Sequence, residues 1–69
     1  SRFFVNRGIS LESAGEMKAA LADYNRAVQM SPFYAKAYYH RGNLLCKAEM
    51  YQEAREDYVR TVLIEANYA

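Results

Sequence analysis

The sequence is one pattern written twice. Displacing the chain by 34 positions aligns 1–34 with 35–68 without a gap, and ten of the 34 pairs are identical. The identities are Arg7/Arg41, Gly8/Gly42, Leu11/Leu45, Ala14/Ala48, Ala20/Ala54, Asp23/Asp57, Tyr24/Tyr58, Arg26/Arg60, Val28/Val62 and Tyr34/Tyr68. Near matches fall at Phe4/Tyr38 and Arg2/Lys36. A period of this length means that each copy is one small structural unit, unable to bury its apolar face alone and stacked on its neighbour. That constraint leaves few folds open.

Each copy reads as two helices. From Arg2 to about Ala14, Phe4, Gly8 and Leu11 recur at helical spacing, and Gly15 follows as a C-terminal cap. From Met17 to Met30, Met17, Ala20, Leu21, Tyr24, Ala27 and Val28 recur at i, i+3, i+4 and i+7. Ser31-Pro32 ends this helix, because proline lacks the amide hydrogen that would continue it. The second copy predicts helices from Lys36 to about Ala48 and from Tyr51 or Gln52 to about Ala66. No alternating apolar and polar stretch suggests a strand. The expectation is all-α, with Gly8 and Ala20, then Gly42 and Ala54, letting paired helices approach closely. Phe4, Tyr24, Tyr38 and Tyr58 would fill the space where the helices diverge and set their angle.

Size and composition narrow the chemistry. Ordering a chain costs about 1.5 kcal/mol per residue, and one this short buries only roughly 60% of its unfolded surface, so a deep-pocketed enzyme is not expected. A single cysteine, Cys46, cannot form an internal disulfide, and with the single His40 it cannot complete a zinc site, so no metal or cofactor is expected. The unpaired thiol fits a reducing, intracellular and cytoplasmic setting. The two residues lie about 120° apart around one helix, which also sets aside a Cys–His nucleophile pair. Nine Lys/Arg against eight Asp/Glu, interspersed, give a net charge of +1 and no basic face for nucleic acid. The longest run of large apolar residues, Val62-Leu63-Ile64, is far short of the about 20 residues that cross a bilayer, and no leader pattern is expected. Glu53, Glu56, Asp57 and Arg60 read as a solvated helix face, Glu56 and Arg60 forming an i, i+4 pair.

The residues resemble the tetratricopeptide repeat. The first copy carries Phe4, Gly8, Leu11, Gly15, Ala20, Tyr24, Ala27 and Pro32 at the family's spacing, and the second carries Tyr38, Gly42, Leu45, Ala54 and Tyr58. The second copy departs at Glu49, Thr61 and Ala66, where the first has Gly15, Ala27 and Pro32. Without the proline at Ala66, the last helix is expected to run on. Arg7, Arg41 and Arg55 occupy places that are usually apolar in the family.

The resemblance implies an α-solenoid of two helical hairpins, 1–34 and 35–68, in one continuous right-handed superhelical domain belonging to a longer array. It implies a non-catalytic protein–protein interaction module, scaffold-like or co-chaperone-like, that holds a peptide or helix of a partner on its concave wall. Mapped onto this chain, the wall comprises Arg2, Val5, Asn6, Ile9, Glu12 and Ser13 from the first helix. The third helix adds Lys36, Tyr39, His40, Asn43, Cys46 and Lys47. Asn6 and Lys36 match in type two places of the carboxylate-binding set of one subfamily, and His40 stands where that set has arginine. Read as an exposed imidazole, His40 would make binding pH-dependent. An alternative is self-association through the last helix, by Tyr51, Tyr58 and Val62, with Tyr68-Ala69 opening a third unit. RNA reading by related 35-residue helical hairpins is a remote alternative, weighed down by the strict 34-residue period and the Gly8, Ala20 and Pro32 pattern.

Overall fold

The computed structural model describes residues 1–66. It contains four helices, α1 Arg2–Ser13, α2 Met17–Met30, α3 Ala35–Lys47 and α4 Tyr51–Glu65, and no strand among the described residues. The expected Tyr34/Tyr68 match in structure and the opening of a third unit at Tyr68-Ala69 lie outside the described residues. α1 pairs with α2 and α3 with α4, and α3 also lies against α2 and touches α1.

The turns inside the two hairpins are the same motif with different chemistry. After α1, the Gly15 amide donates to the Glu12 carbonyl at 3.0 Å and Glu16 to Leu11 at 2.8 Å. After α3, Glu49 donates to Cys46 at 3.0 Å and Met50 to Leu45 at 2.9 Å. Both are crossed hydrogen-bond caps that need a left-handed residue. Gly15 takes φ +84° without steric cost, whereas Glu49 is held at φ 63° with a Cβ to accommodate. Between the hairpins, Ser31 donates to Ala27 at 2.9 Å, and Pro32 then prevents another helical turn. α4 ends at Glu65 and is capped at Ala66, so replacing the proline lengthens it by only one residue over the α2 equivalent, Met30.

Alanine and tyrosine make the core. Ala20, Ala27, Ala37 and Ala54 are buried at helix contacts, with Tyr24 the largest side chain fully enclosed. Val5, Ala27 and Ala37 form one cluster, with Phe4, Ile9, Val28 and Tyr34 against it. Ala20, Tyr24 and Leu44 form another, with Ile9, Leu11 and Leu21 against it. The close approach expected at Gly8 and Ala20 involves an aromatic side chain as well. A Cβ on Gly8 would lie 2.5 Å from Cε1 of Tyr24, so the glycine makes room for an aromatic ring. A Cβ on Gly42 would lie 2.9 and 3.2 Å from Cε1 and Cδ1 of Tyr58 and 3.3 Å from the Ala54 carbonyl oxygen. Here ring and backbone share the space.

Two of the three arginines that depart from an apolar pattern, Arg7 and Arg41, are explained by repeated ion pairs. Arg7 Nε and Nη2 donate to the two carboxylate oxygens of Asp23 at 2.8 and 2.9 Å. Arg41 does the same to Asp57, at 2.8 Å for both bonds. Asp57 is therefore buried and held, not part of the solvated face expected from the sequence. Hydrogen bonding from Arg7 holds the Asp23 carboxyl below its ordinary range, against the opposing cost of burial. Arg60, expected to pair with Glu56, sets its guanidinium 5.5 Å from the Tyr38 ring centre.

Candidate functional site

Side chains of α1 and α3 meet in a hollow of about 450 Å³. Ile9, Glu12 and Ser13 come from α1, and His40, Asn43, Cys46 and Lys47 from α3, with Tyr58 of α4 at the back. The repeat places them there: in each first helix, positions one or two residues around from the buried stripe point along the joint between the units. A polar chain crosses this joint. The Tyr24 hydroxyl donates to Glu12 Oε1 at 2.9 Å, and Lys47 Nζ donates to Glu12 Oε2 at 2.6 Å. Arg41 Nη1 adds a second tie between the units, to Asn25 Oδ1 at 3.0 Å.

Deeper in the hollow, the Tyr58 hydroxyl donates to Asn43 Oδ1 at 2.6 Å and lies 3.5 Å from Cys46 Sγ. The Tyr58 phenol is pushed up to about 12, first by the hydrogen bond with Cys46 and then by burial. Burial and the hydrogen bond to Glu12 likewise raise Tyr24 well above the tyrosine norm. Both phenols stay protonated as donors at neutral pH. His40 is half-buried and not the exposed imidazole read from the sequence. Its ring stacks on Tyr24, with centroids 6.2 Å apart and 20° between planes, and meets Tyr39 edge-on at 5.4 Å. Burial lowers its pKa, with Glu12 opposing that shift and Lys36 adding to it, so neutral imidazole faces the hollow at neutral pH.

The wall residues expected from the sequence are distributed unevenly. Ile9, His40, Asn43 and Lys47 share the hollow. Lys36, Tyr39 and His40 line an adjoining recess with Ala35, Thr61 and Glu65. Arg2 and Asn6 are exposed on α1 and border neither. Val5 is a correction: at 1% exposure it packs against Ala27 and Ala37, because its stripe on α1 faces both α2 and α3. Of the end-helix residues, Tyr51 and Val62 are exposed, whereas Tyr58 turns back onto Gly42 and Asn43 and is half-buried. No group of three His, Cys, Asp or Glu suited to a metal occurs among the described residues.

A family profile described as TPR repeat matches residues 11–49, more than half of the chain and spanning the joint between the hairpins. The chain belongs to the tetratricopeptide-repeat family. Tetratricopeptide repeats generally mediate protein–protein interaction and are typically non-catalytic. Similarity to individual proteins runs the same way. An uncharacterised protein of Methanocaldococcus jannaschii is 28% identical over 65 residues, which is 94% of this chain and 76% of that protein. Tetratricopeptide repeat protein 6 of Homo sapiens is 32% identical over 56 residues, 81% of this chain and 11% of the human protein. Small glutamine-rich tetratricopeptide repeat-containing protein 2 of Mycosarcoma maydis is 32% identical over 63 residues, 91% of this chain and 18% of the fungal one. The chain thus covers most of the archaeal relative and a small part of the other two. No helix among the described residues is long and apolar enough to cross a membrane.

Two features of the site were missed in the sequence. The Lys47–Glu12 tie joins residues 35 apart that have no counterpart in the other copy, where Ser13 and Cys46 stand. The Arg–Asp forks did leave a signal: both partners recur at the period, with opposite charge and the same 16-residue separation.

Proposed function

We propose that the α1–α3 face holds an extended segment of a partner protein, with the hollow between the two units taking one of its side chains. The observation that carries this reading is the hollow itself. Its depth comes from Ile9 and the Tyr58 ring, while Asn43, Ser13 and Lys47 supply polar groups at its walls. Tyr58 occupies the Asn43 carbonyl, which leaves the Asn43 amide NH2 as a donor with no partner among the described residues. An extended chain carries alternating carbonyls that such a donor suits, and the preformed walls limit the ordering cost of binding. A neutral, stacked His40 and an Asn6 set apart on α1 speak against a dedicated clamp for a terminal carboxylate.

The test is a set of peptides selected on the chain from a random display library, each measured by calorimetry. Lys47→Glu, in the hollow, and Tyr39→Ala, in the adjoining recess, alter exposed residues and should weaken binding about tenfold or more, or about 1.4 kcal/mol. Gln29→Glu, on the opposite side of the first hairpin, should leave it unchanged. Equal binding by all four proteins would place the ligand elsewhere.

A further inference from the structure

Two depressions lie side by side along α3, and their spacing discriminates between kinds of extended chain. The hollow of about 450 Å³ takes its α3 lining from His40, Asn43, Cys46 and Lys47. The recess of about 280 Å³ takes its own from Ala35, Lys36, Tyr39 and His40. His40 is the wall they share. Their centres on α3 stand about six to seven residues apart, or roughly 10 Å at about 1.5 Å per residue. A β-strand laid along α3 would repeat one face every second residue, about 6.8 Å, or every fourth, about 13 Å. A polyproline II helix repeats its face every third residue, about 9.3 Å. The second spacing seats two side chains of one segment in the two depressions.

Neither depression selects a charge. In the hollow, Lys47 Nζ is bonded to Glu12 Oε2 and the Tyr24 hydroxyl to Glu12 Oε1, so a charged ligand group would break this pair or go without a partner. In the recess, Lys36 and Glu65 balance each other in sign. Between these charges stand rings. Tyr39, 49% exposed, meets His40 edge-on at 5.4 Å and tilts by 54° to Tyr58 at 6.3 Å, so three aromatic side chains form the ridge that parts the depressions. The hydrogen bonding is lopsided as well. Asn43 Oδ1 accepts from Tyr58 and both Glu12 oxygens are bonded, while the Asn43 NH2 has no partner among the described residues. Ligand carbonyls therefore find a donor more readily than ligand amides find an acceptor. Proline suits that wall, since it keeps its carbonyl and has no amide hydrogen. Its preformed helix also cuts the ordering cost, which matters for open depressions that bury little area. We propose that the segment held on the α1–α3 face is proline-rich and in the polyproline II conformation, with uncharged residues three apart seated in the hollow and the recess. The proposal rests on the reading of that face as the binding surface and names the class of its ligand.

Two capped peptides of about 12 residues are the probes, one of repeated Ala-Pro-Pro and one of alternating valine and serine. Titrated into the 15N-labelled chain, the proline peptide should shift the amides of Tyr39, His40, Asn43 and Lys47. It should bind at least about tenfold more tightly than the valine–serine peptide. Asn43→Asp keeps the acceptor for Tyr58 and removes the NH2 donor, and Tyr39→Leu removes an exposed ring while staying apolar. Each should weaken the proline peptide about tenfold, with circular dichroism verifying the fold. No binding of the proline peptide, equal binding of the two peptides, or indifference to both substitutions would overturn the proposal. Peptides selected from a display library separate this failure from that of the face itself. Selected peptides that shift α1 and α3 amides without proline at three-residue spacing would overturn the ligand class and leave the face standing. Shifts confined to α2 and α4 would remove the face and the proposal together.

Discussion

Gly8 and Gly42 occupy the same place in the repeat, yet the surroundings make them unequal. Tyr24 is fully buried and tethered to Glu12, so the ring 2.5 Å from a Cβ at Gly8 has nowhere to move. Tyr58 is half-buried and the approach at Gly42 is 2.9 Å, so its ring can yield. Gly8→Ala should therefore cost about 1–3 kcal/mol by overpacking, less the roughly 1 kcal/mol that alanine gains in a helix. Gly42→Ala should cost less, a ranking that urea denaturation of both variants checks. Glu49→Gly should raise stability by about 1 kcal/mol, because it relieves a left-handed backbone that glycine adopts freely. Protonation gives a third prediction. His40 and Asp23 both have pKa values lowered in the folded chain, from ordinary values of 6.5 and 3.8. Each then contributes stability that is present above its ordinary value and lost as pH falls through the folded one. Melting temperature should fall in two stages on acidification. His40→Gln should remove the stage that starts near pH 6.5, and Asp23→Asn should reduce the one below pH 3.8.

The helices were legible because apolar spacing, Gly15 and Ser31-Pro32 mark them directly, and the observed bounds shift by a residue or so. What joins them was less legible. The repeat displayed both arginines and both aspartates, but a separation of 16 residues has meaning only once two helices are folded against each other. The Lys47–Glu12 tie has no repeat to announce it. That pair connects the hairpins across the α1–α3 joint at 2.6 Å, with Lys47 58% exposed, so water and salt screen it. A double-mutant cycle with Glu12→Gln and Lys47→Met should give a coupling of about 0.5 kcal/mol that shrinks in high salt. Additive effects of the two substitutions would mean that the hairpins are held by the Arg41–Asn25 bond and by the packing of Ala37, Leu44 and their neighbours.

For the molecule as a whole, the repeat period was enough to reach the fold and the family, and the family profile bridging both hairpins agrees with it. The wall was harder to read, since helical spacing alone does not distinguish a stripe facing one neighbour from a stripe facing two. Val5 shares its side of α1 with Ile9, yet α2 and α3 together enclose Val5 while Ile9 reaches the hollow. The α4 stripe was read as Tyr51, Tyr58 and Val62, but only Tyr51 and Val62 are exposed, because Tyr58 packs back against Gly42. The α1–α3 face remains the centre of the functional account. Its most direct test is amide chemical-shift mapping of the 15N-labelled chain with a peptide selected on it. The account predicts perturbations concentrated at Ile9, Ser13, Tyr39, His40, Asn43 and Lys47, with α2 silent. Perturbations confined to α2 and α4, with those six amides unmoved, would contradict it.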